Sequence, residues 1–175
     1  VNGDGFLDIV SLAPTYIENR IWMPDKARWS AHLLTNVKRP EGSDAALVPR
    51  FGRLNDGRVI AAFAARDEFQ VRAFQATQWQ SAQTLGEMLG LEFEGIPPAM
   101  INAGLRFRDI DHDGTSELIL GLPGLRGVWR WTSSPWRWVR SEFSLPSGLS
   151  LIDEHGRDAG LRFIDIDEDG LDDIV

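Results

Sequence analysis

The sequence predicts an all-β fold assembled from repeated four-stranded units. Three observations carry this: Asp-Gly steps with matching flanks, other landmarks that keep the same period, and short apolar segments bounded by turn formers. The Asp-rich stretches run from Asn2 to Asp8, from Asp109 to Glu117 and from Asp165 to Asp173. A weakened copy, Asn55-Asp56-Gly57, lies between the first two, so that Asp4, Asp56, Asp113 and Asp169 are spaced by 52, 57 and 56 residues.

The landmarks follow in chain order. Arg50-Phe51, Arg106-Phe107 and Arg162-Phe163 precede their loops at intervals of 56. Asp44-Ala45-Ala46-Leu47 recurs as Asn102-Ala103-Gly104-Leu105 and as Asp158-Ala159-Gly160-Leu161. Within each unit an aromatic closes one segment and a Trp opens the next: Trp22 and Trp29, Phe74 and Trp79, Trp131 and Trp136. In the third unit, strands are expected over 105–110, 117–121, 127–132 and 136–143. A short helix, weakened by Gly86 and Gly90, is expected over 81–91 in a connection between units.

Four strands in about 55 residues suit a propeller blade, whose sheet packs face to face on the next. An open solenoid of four-stranded units is the alternative. Residues 1–46 then form a blade without its first strand, 47–102 a blade with a degenerate loop, 103–158 a complete blade and 159–175 the start of another, all in one β-propeller domain. Such rings need ~4 to 8 blades. The sequence is therefore read as a fragment of a larger propeller, with the remaining blades of the same chain before Val1 and after Val175.

Composition narrows the function. Among 175 residues, 18 basic side chains face 26 acidic ones for a net charge of -8, which argues against the phosphate-neutralising surface of a nucleic-acid binder. Cysteine is absent, which excludes disulfides, thiolate metal sites and Cys nucleophiles. No apolar run approaches the ~18 residues of a membrane span, and no signal peptide is visible.

The acidic loops carry the chemistry. Ca²⁺ takes ~6 to 8 oxygens, and alternating carboxylates on a Gly-turned loop supply them. The last copy offers Asp165, Asp167, Asp169 and Asp173 with the carbonyl of Leu171. The third offers Asp109, Asp111, Asp113 and Glu117 with the carbonyl of Thr115, and the first offers Asn2, Asp4 and Asp8 with the carbonyl of Phe6. Mg²⁺ prefers fewer carboxylates and more retained water. An EF-hand is disfavoured because its twelfth loop position, a Glu, is Leu120 here and the flanks are too short for helices. The remaining alternative is an empty, solvated Asp-rich turn. In the second copy the equivalent positions are Gly52, Leu54, Asp56 and Ile60, so no Ca²⁺ is expected there and Asn55-Asp56-Gly57 reads as an ordinary hairpin turn. Ten of the 26 acids are thus proposed ligands, and the other 16 nearly balance the 18 basic residues.

Arg-Phe-x-Asp-x-Asp-x-Asp-Gly-x-x-Asp-Ile-Val at this period resembles the FG-GAP/VCBS repeat family, whose members build β-propellers, including the head of integrin alpha subunits. The resemblance implies that the loop joins the first two strands of each blade and holds Ca²⁺. It also implies an extracellular, cell-surface or periplasmic setting and a structural role in scaffolding and in recognition of protein or carbohydrate. The alternatives are part of a propeller-type enzyme, such as a polysaccharide-degrading one, and a sugar-binding lectin-like propeller.

Trp129 and Trp138 do not match the repeat and are the weak candidates for a ligand platform, against an aromatic ladder that fills a sheet edge. No catalytic residue is assigned: His32, His112 and His155 share no spacing, and no hydrolase or P-loop motif occurs. Arg28, Arg50, Arg106 and Arg162 suit an acidic polymer, but the Arg-Phe recurrence is read as buried pairing within each blade.

Overall fold

In the computed structural model, residues 7–12, 16–31, 33–36, 49–65, 68–75, 78–82, 95–133 and 136–175 are described. They form an all-β architecture of small antiparallel sheets. The second sheet is a meander of β6 (Arg50–Arg53), β7 (Val59–Ala65), β8 (Glu68–Gln75) and β9 (Gln78–Ser81). The third repeats it with β10 (Leu105–Arg108), β11 (Glu117–Leu122), β12 (Leu125–Ser133) and β13 (Trp136–Arg140). Each strand pairs with its sequence neighbour, as expected of consecutive β-branched and aromatic segments joined by turns of a few residues.

The first sheet has three strands, β1 (Ile9–Leu12), β2 (Tyr16–Arg20) and β5 (Leu33–Asn36). Its outer hairpin continues through β3 (Trp22–Met23) and β4 (Arg28–Trp29), which are joined by a 3-10 turn at Pro24–Lys26. The register changes between the two halves, from Asn19 opposite Leu33 to Trp22 opposite Trp29, which leaves one extra residue on the returning strand. At this change of register the Ser30 hydroxyl accepts the Ile21 N–H at 3.0 Å. The fourth unit begins as a hairpin, β14 (Phe163–Ile164) with β15 (Asp173–Ile174).

The sheets stack face to face, and strand alternation shows how. In β7, Ala61 and Phe63 pack on Ile17 of the first sheet, whereas Ile60 and Ala62 share a core with the third. In β11, Leu118, Leu120 and Leu122 join that same core, while Ile119 turns to Leu145, Leu151 and Leu161, with Phe163 and Ile174 of the next hairpin beside them. Both strands are therefore apolar on both faces. Full burial of one such side chain is worth ~1.5 to 3 kcal/mol, so the sheet-to-sheet contacts are the main source of cohesion.

One helix was not anticipated. Helix α1 (Pro98–Gly104) precedes β10, starts on a proline that needs no N–H partner and buries Ile101 in the core between the second and third sheets. Gly104 ends it where the Leu122 side chain and the Gly121 carbonyl leave no room for a Cβ. The helix expected over 81–91 falls almost wholly outside the described residues, and Ser81 itself ends β9.

The tryptophan register is a correction. The sequence pairs Trp131 with Trp136, but the strands place Trp131 opposite Trp138 and Trp136 opposite Ser133. The Trp131 and Trp138 rings meet edge to face at 5.3 Å, matching Phe74 with Trp79 at 5.3 Å and Trp22 with Trp29 at 5.1 Å. Phe107 of the first strand lies 6.3 Å from Trp138, as Phe51 lies 5.7 Å from Trp79. Trp138 is thus the repeat residue. The reason is strand length: two register pairs, Thr132 with Arg137 and Ser133 with Trp136, follow Trp131 and Trp138, whereas one pair, Gln75 with Gln78, follows Phe74 and Trp79, so the paired aromatics stand 7 residues apart in the third unit and 5 in the second.

Candidate metal-binding loops

The second copy is a three-residue hairpin connection between β6 and β7. Leu54 and Arg58 close it through the Leu54 N–H on the Arg58 carbonyl at 2.8 Å, and the Gly57 N–H reaches the Leu54 carbonyl at 2.9 Å. Gly57 adopts φ +82°, the left-handed residue that follows a turn in this hairpin class. The Asp56 carboxylate is occupied by the Arg58 guanidinium at 2.7 Å and by the Arg58 N–H at 3.0 Å. This turn has the ordinary hairpin form that its sequence suggests.

The third and fourth loops match each other residue by residue. In the third, the Gly114 N–H donates to Asp109 at 2.9 Å and the Ile110 N–H to Glu117 at 3.0 Å. In the fourth, the Gly170 N–H donates to Asp165 at 2.9 Å and the Ile166 N–H to Asp173 at 3.0 Å. His112 and Glu168 occupy the left-handed region at equivalent points, φ 56° and 60°, followed by Gly114 and Gly170. Two left-handed residues within three positions coil the backbone tightly, which brings the first, third and ninth side chains of the stretch together.

Two groups of carboxylates result: Asp109, Asp111 and Glu117, and Asp165, Asp167 and Asp173. Within each group the oxygens lie within 4.8 Å of one another. Oxygens no further apart than this can share one cation with bonds of about 2.4 Å. Asp113 and Asp169 are not members of these groups; their carboxylates accept the N–H groups of Thr115 at 2.7 Å and Leu171 at 2.8 Å. Thr115 is buried beside the third group and Leu171 is exposed. From the first copy only Asp8 is described, and it accepts the Trp22 N–H at 3.0 Å; Asn2, Asp4 and Phe6 lie outside the described residues.

The third group is the more enclosed. Glu117 is 3% exposed, and its Oε1 and the Asp109 Oδ1 are buried without a hydrogen-bond donor. Burial pushes the Glu117 carboxyl above the usual carboxylate range and the charge of Asp111 adds to this, while the Ile110 N–H and Arg130 oppose it. Buried polar oxygens without a donor are costly. A cation supplies what they lack, so these residues fit a hard metal ion.

One member of the site is missed by sequence reasoning. Arg130, on β12, reaches Asp111 at 3.0 Å and stands 3.6 Å from Glu117 Oε1. Counted back from the cross-hairpin aromatic, its position is Ile21 in the first unit and Ala73 in the second, so a charge in an otherwise apolar place was the available signal.

Compared with family models, curated proteins and solved structures, this chain matches none. The candidate site therefore rests on its own geometry. Trp129 and Trp138, the candidate ligand platform, are buried at 2% and 8% exposure in the core between the second and third sheets. The Arg140 guanidinium covers the Trp129 ring at 5.6 Å. The structure thus places both rings in the packed interior, the arrangement weighed against the platform.

Proposed function

We propose that this chain is part of a Ca²⁺-stabilised β-propeller of the FG-GAP/VCBS type, serving as a scaffold for recognition of protein or carbohydrate outside the cytoplasm. The observation that carries the reading is the pair of equivalent three-carboxylate loops, 56 residues apart, each joining the first two strands of its unit. Face-to-face sheets supply the blade-like setting. Ca²⁺ suits these loops better than Mg²⁺ because three carboxylates in one flexible, oxygen-rich coil exceed what Mg²⁺ commonly accepts. The ion acts by linkage: it binds the coiled loop and not the extended chain, and so favours the folded sheets.

Calorimetric titration of chelator-stripped protein with Ca²⁺ tests this. Asp167→Ala should abolish one site and Asp56→Ala none. Equal stoichiometry in the two variants would defeat the copy-by-copy assignment.

Arg130 sharpens the test. As an internal cation it satisfies Asp111 in the metal-free loop and competes with the metal. Arg130→Ala is expected to tighten Ca²⁺ binding at the third loop by about twofold to fivefold, the equivalent of an exposed ion pair worth up to ~1 kcal/mol. An unchanged or weakened affinity would show that Arg130 does not compete.

A further inference from the structure

The repeating arginines do not each find a carboxylate in their own sheet. Arg50 donates from Nε to the Asn102 carbonyl of helix α1 at 3.3 Å. Arg106 donates from Nη1 to the Ala103 and Leu105 carbonyls at 2.8 and 2.7 Å. Among the described residues, Arg162 alone of these three has a close carboxylate, Asp158 at 2.9 Å. Arg108, two residues along β10, lies over the Phe163 ring at 5.8 Å and reaches Asp172 only at 3.9 Å.

These side chains meet. A cavity of about 320 Å³ between β10 and the fourth unit is lined by Arg106, Arg108, Arg162 and Asp158, with Leu161 and Phe163 as apolar walls. Asn102 stands four residues before Arg106 as Asp158 stands four before Arg162, so a neutral amide replaces the carboxylate at that step of the repeat. Among the described residues, three guanidiniums and one carboxylate line the cavity, an excess of two positive charges.

We propose that this cavity is an oxyanion-binding site, in which Arg106, Arg108 and Arg162 take a sulfate, phosphate or carboxylate group and Arg50 adds its charge from the second sheet. A guanidinium presents a planar fork of N–H donors that matches such a group with two parallel hydrogen bonds. Carbonyl bonds to Arg106 Nη1 fix one arm of its fork. Among the described residues no carboxylate lies within 4 Å of it, and its Nε and Nη2 remain for a ligand. Burial pushes the Arg106 guanidinium below its ordinary value, and the charges of Arg50, Arg162 and Arg108 push the same way against Asp158. Anion binding reverses that strain by restoring charge balance in a partly desolvated place.

Arginines 108 and 162 are about half exposed, so their loss does not open the core. The test titrates the protein with sodium sulfate against chloride at constant ionic strength. This controls for the general stabilisation that sulfate exerts by exclusion from protein surfaces. The protein is first stripped of Ca²⁺ with chelator and the chelator is then removed, so the outcome is independent of the Ca²⁺ reading and no polycarboxylate competes for the site. Wild type should show saturable binding at millimolar sulfate by calorimetry. Arg108→Gln/Arg162→Gln should weaken it at least tenfold, with an unchanged circular dichroism spectrum. Arg137→Ala, on the outer strand β13, should bind as wild type. A second arm with glucose 6-sulfate separates an anion carried on a sugar, which binds more tightly than free sulfate, from a free oxyanion, which binds equally or better; either supports the site. Absence of saturation with both probes, or wild-type affinity in the double variant, overturns the proposal.

Discussion

Chelation of Ca²⁺ is expected to lower the melting temperature by roughly 10 to 20 °C, taking two loops and a Ca²⁺ concentration about 100 times the dissociation constant. At that ratio each site contributes ~2.7 kcal/mol, so the third and fourth loops together supply about 5 kcal/mol. For a chain of this size each kcal/mol moves the midpoint by about 2 to 4 °C. The physical cause lies in the loops themselves. Without a cation, Asp109, Asp111 and Glu117 each hold an oxygen within 4.8 Å of the others, and among the described residues Arg130 is the one guanidinium that relieves the repulsion, beside the Ile110 and Gly114 N–H groups. The fourth loop is more exposed, and among the described residues no equivalent guanidinium lies within ion-pair distance of Asp165, Asp167 or Asp173. Calorimetric scans with Ca²⁺ and with chelator decide the matter. Superimposable transitions would end the proposal that these loops bind the ion.

Trp131→Ala should destabilise the protein by ~3 to 5 kcal/mol, the range for removing a large aromatic from a packed interior. Trp131 is 2% exposed and meets Trp138 edge to face at 5.3 Å, in the core that also holds Leu54 and Ile60 of the second sheet. Its loss therefore leaves a void at the junction of two sheets and strips Trp138 of its partner. Trp29 is a useful contrast. It takes part in an equivalent ring pair with Trp22 but is 36% exposed, so Trp29→Ala should cost less than half as much. Denaturant unfolding monitored by circular dichroism measures both. Equal losses would mean that the ring pairs, and not the packing between sheets, set the energy.

The sequence made the repeat and the acidic loops legible because both depend on local spacing. Turn residues recur with the strands they separate, and carboxylates two residues apart converge wherever the backbone coils. Strand positions in the third sheet agree with expectation apart from a few residues at the ends, chiefly β12, which starts at Leu125 rather than Gly127, and β13, which stops at Arg140. What escaped was set by geometry beyond the local run. Trp136 looked like the repeat residue because 131 to 136 copies the second unit's interval, while strands one pair longer give that role to Trp138. Helix α1 was hidden because Pro97-Pro98 reads as a connection, and the burial of Ile101 between two sheets is what holds it. Arg106 and Arg162 looked like isolated pairing residues until the stacking of the sheets brought them to one cavity.

Ser116 lies within the third loop, next to Glu117, and is joined to the second sheet. Its N–H donates to the Arg53 carbonyl at 2.7 Å, and its hydroxyl accepts the Arg53 N–H at 3.0 Å. A coil stiffened at Glu117 is thereby also a rivet through the seam between two sheets. The first and second sheets are tied differently: the buried Trp79 indole N–H donates to Asn19 Oδ1 at 2.9 Å, a bond that involves no acidic loop. The two seams therefore differ in what loosens them, a change in the third loop for one and a change in the packed interior for the other.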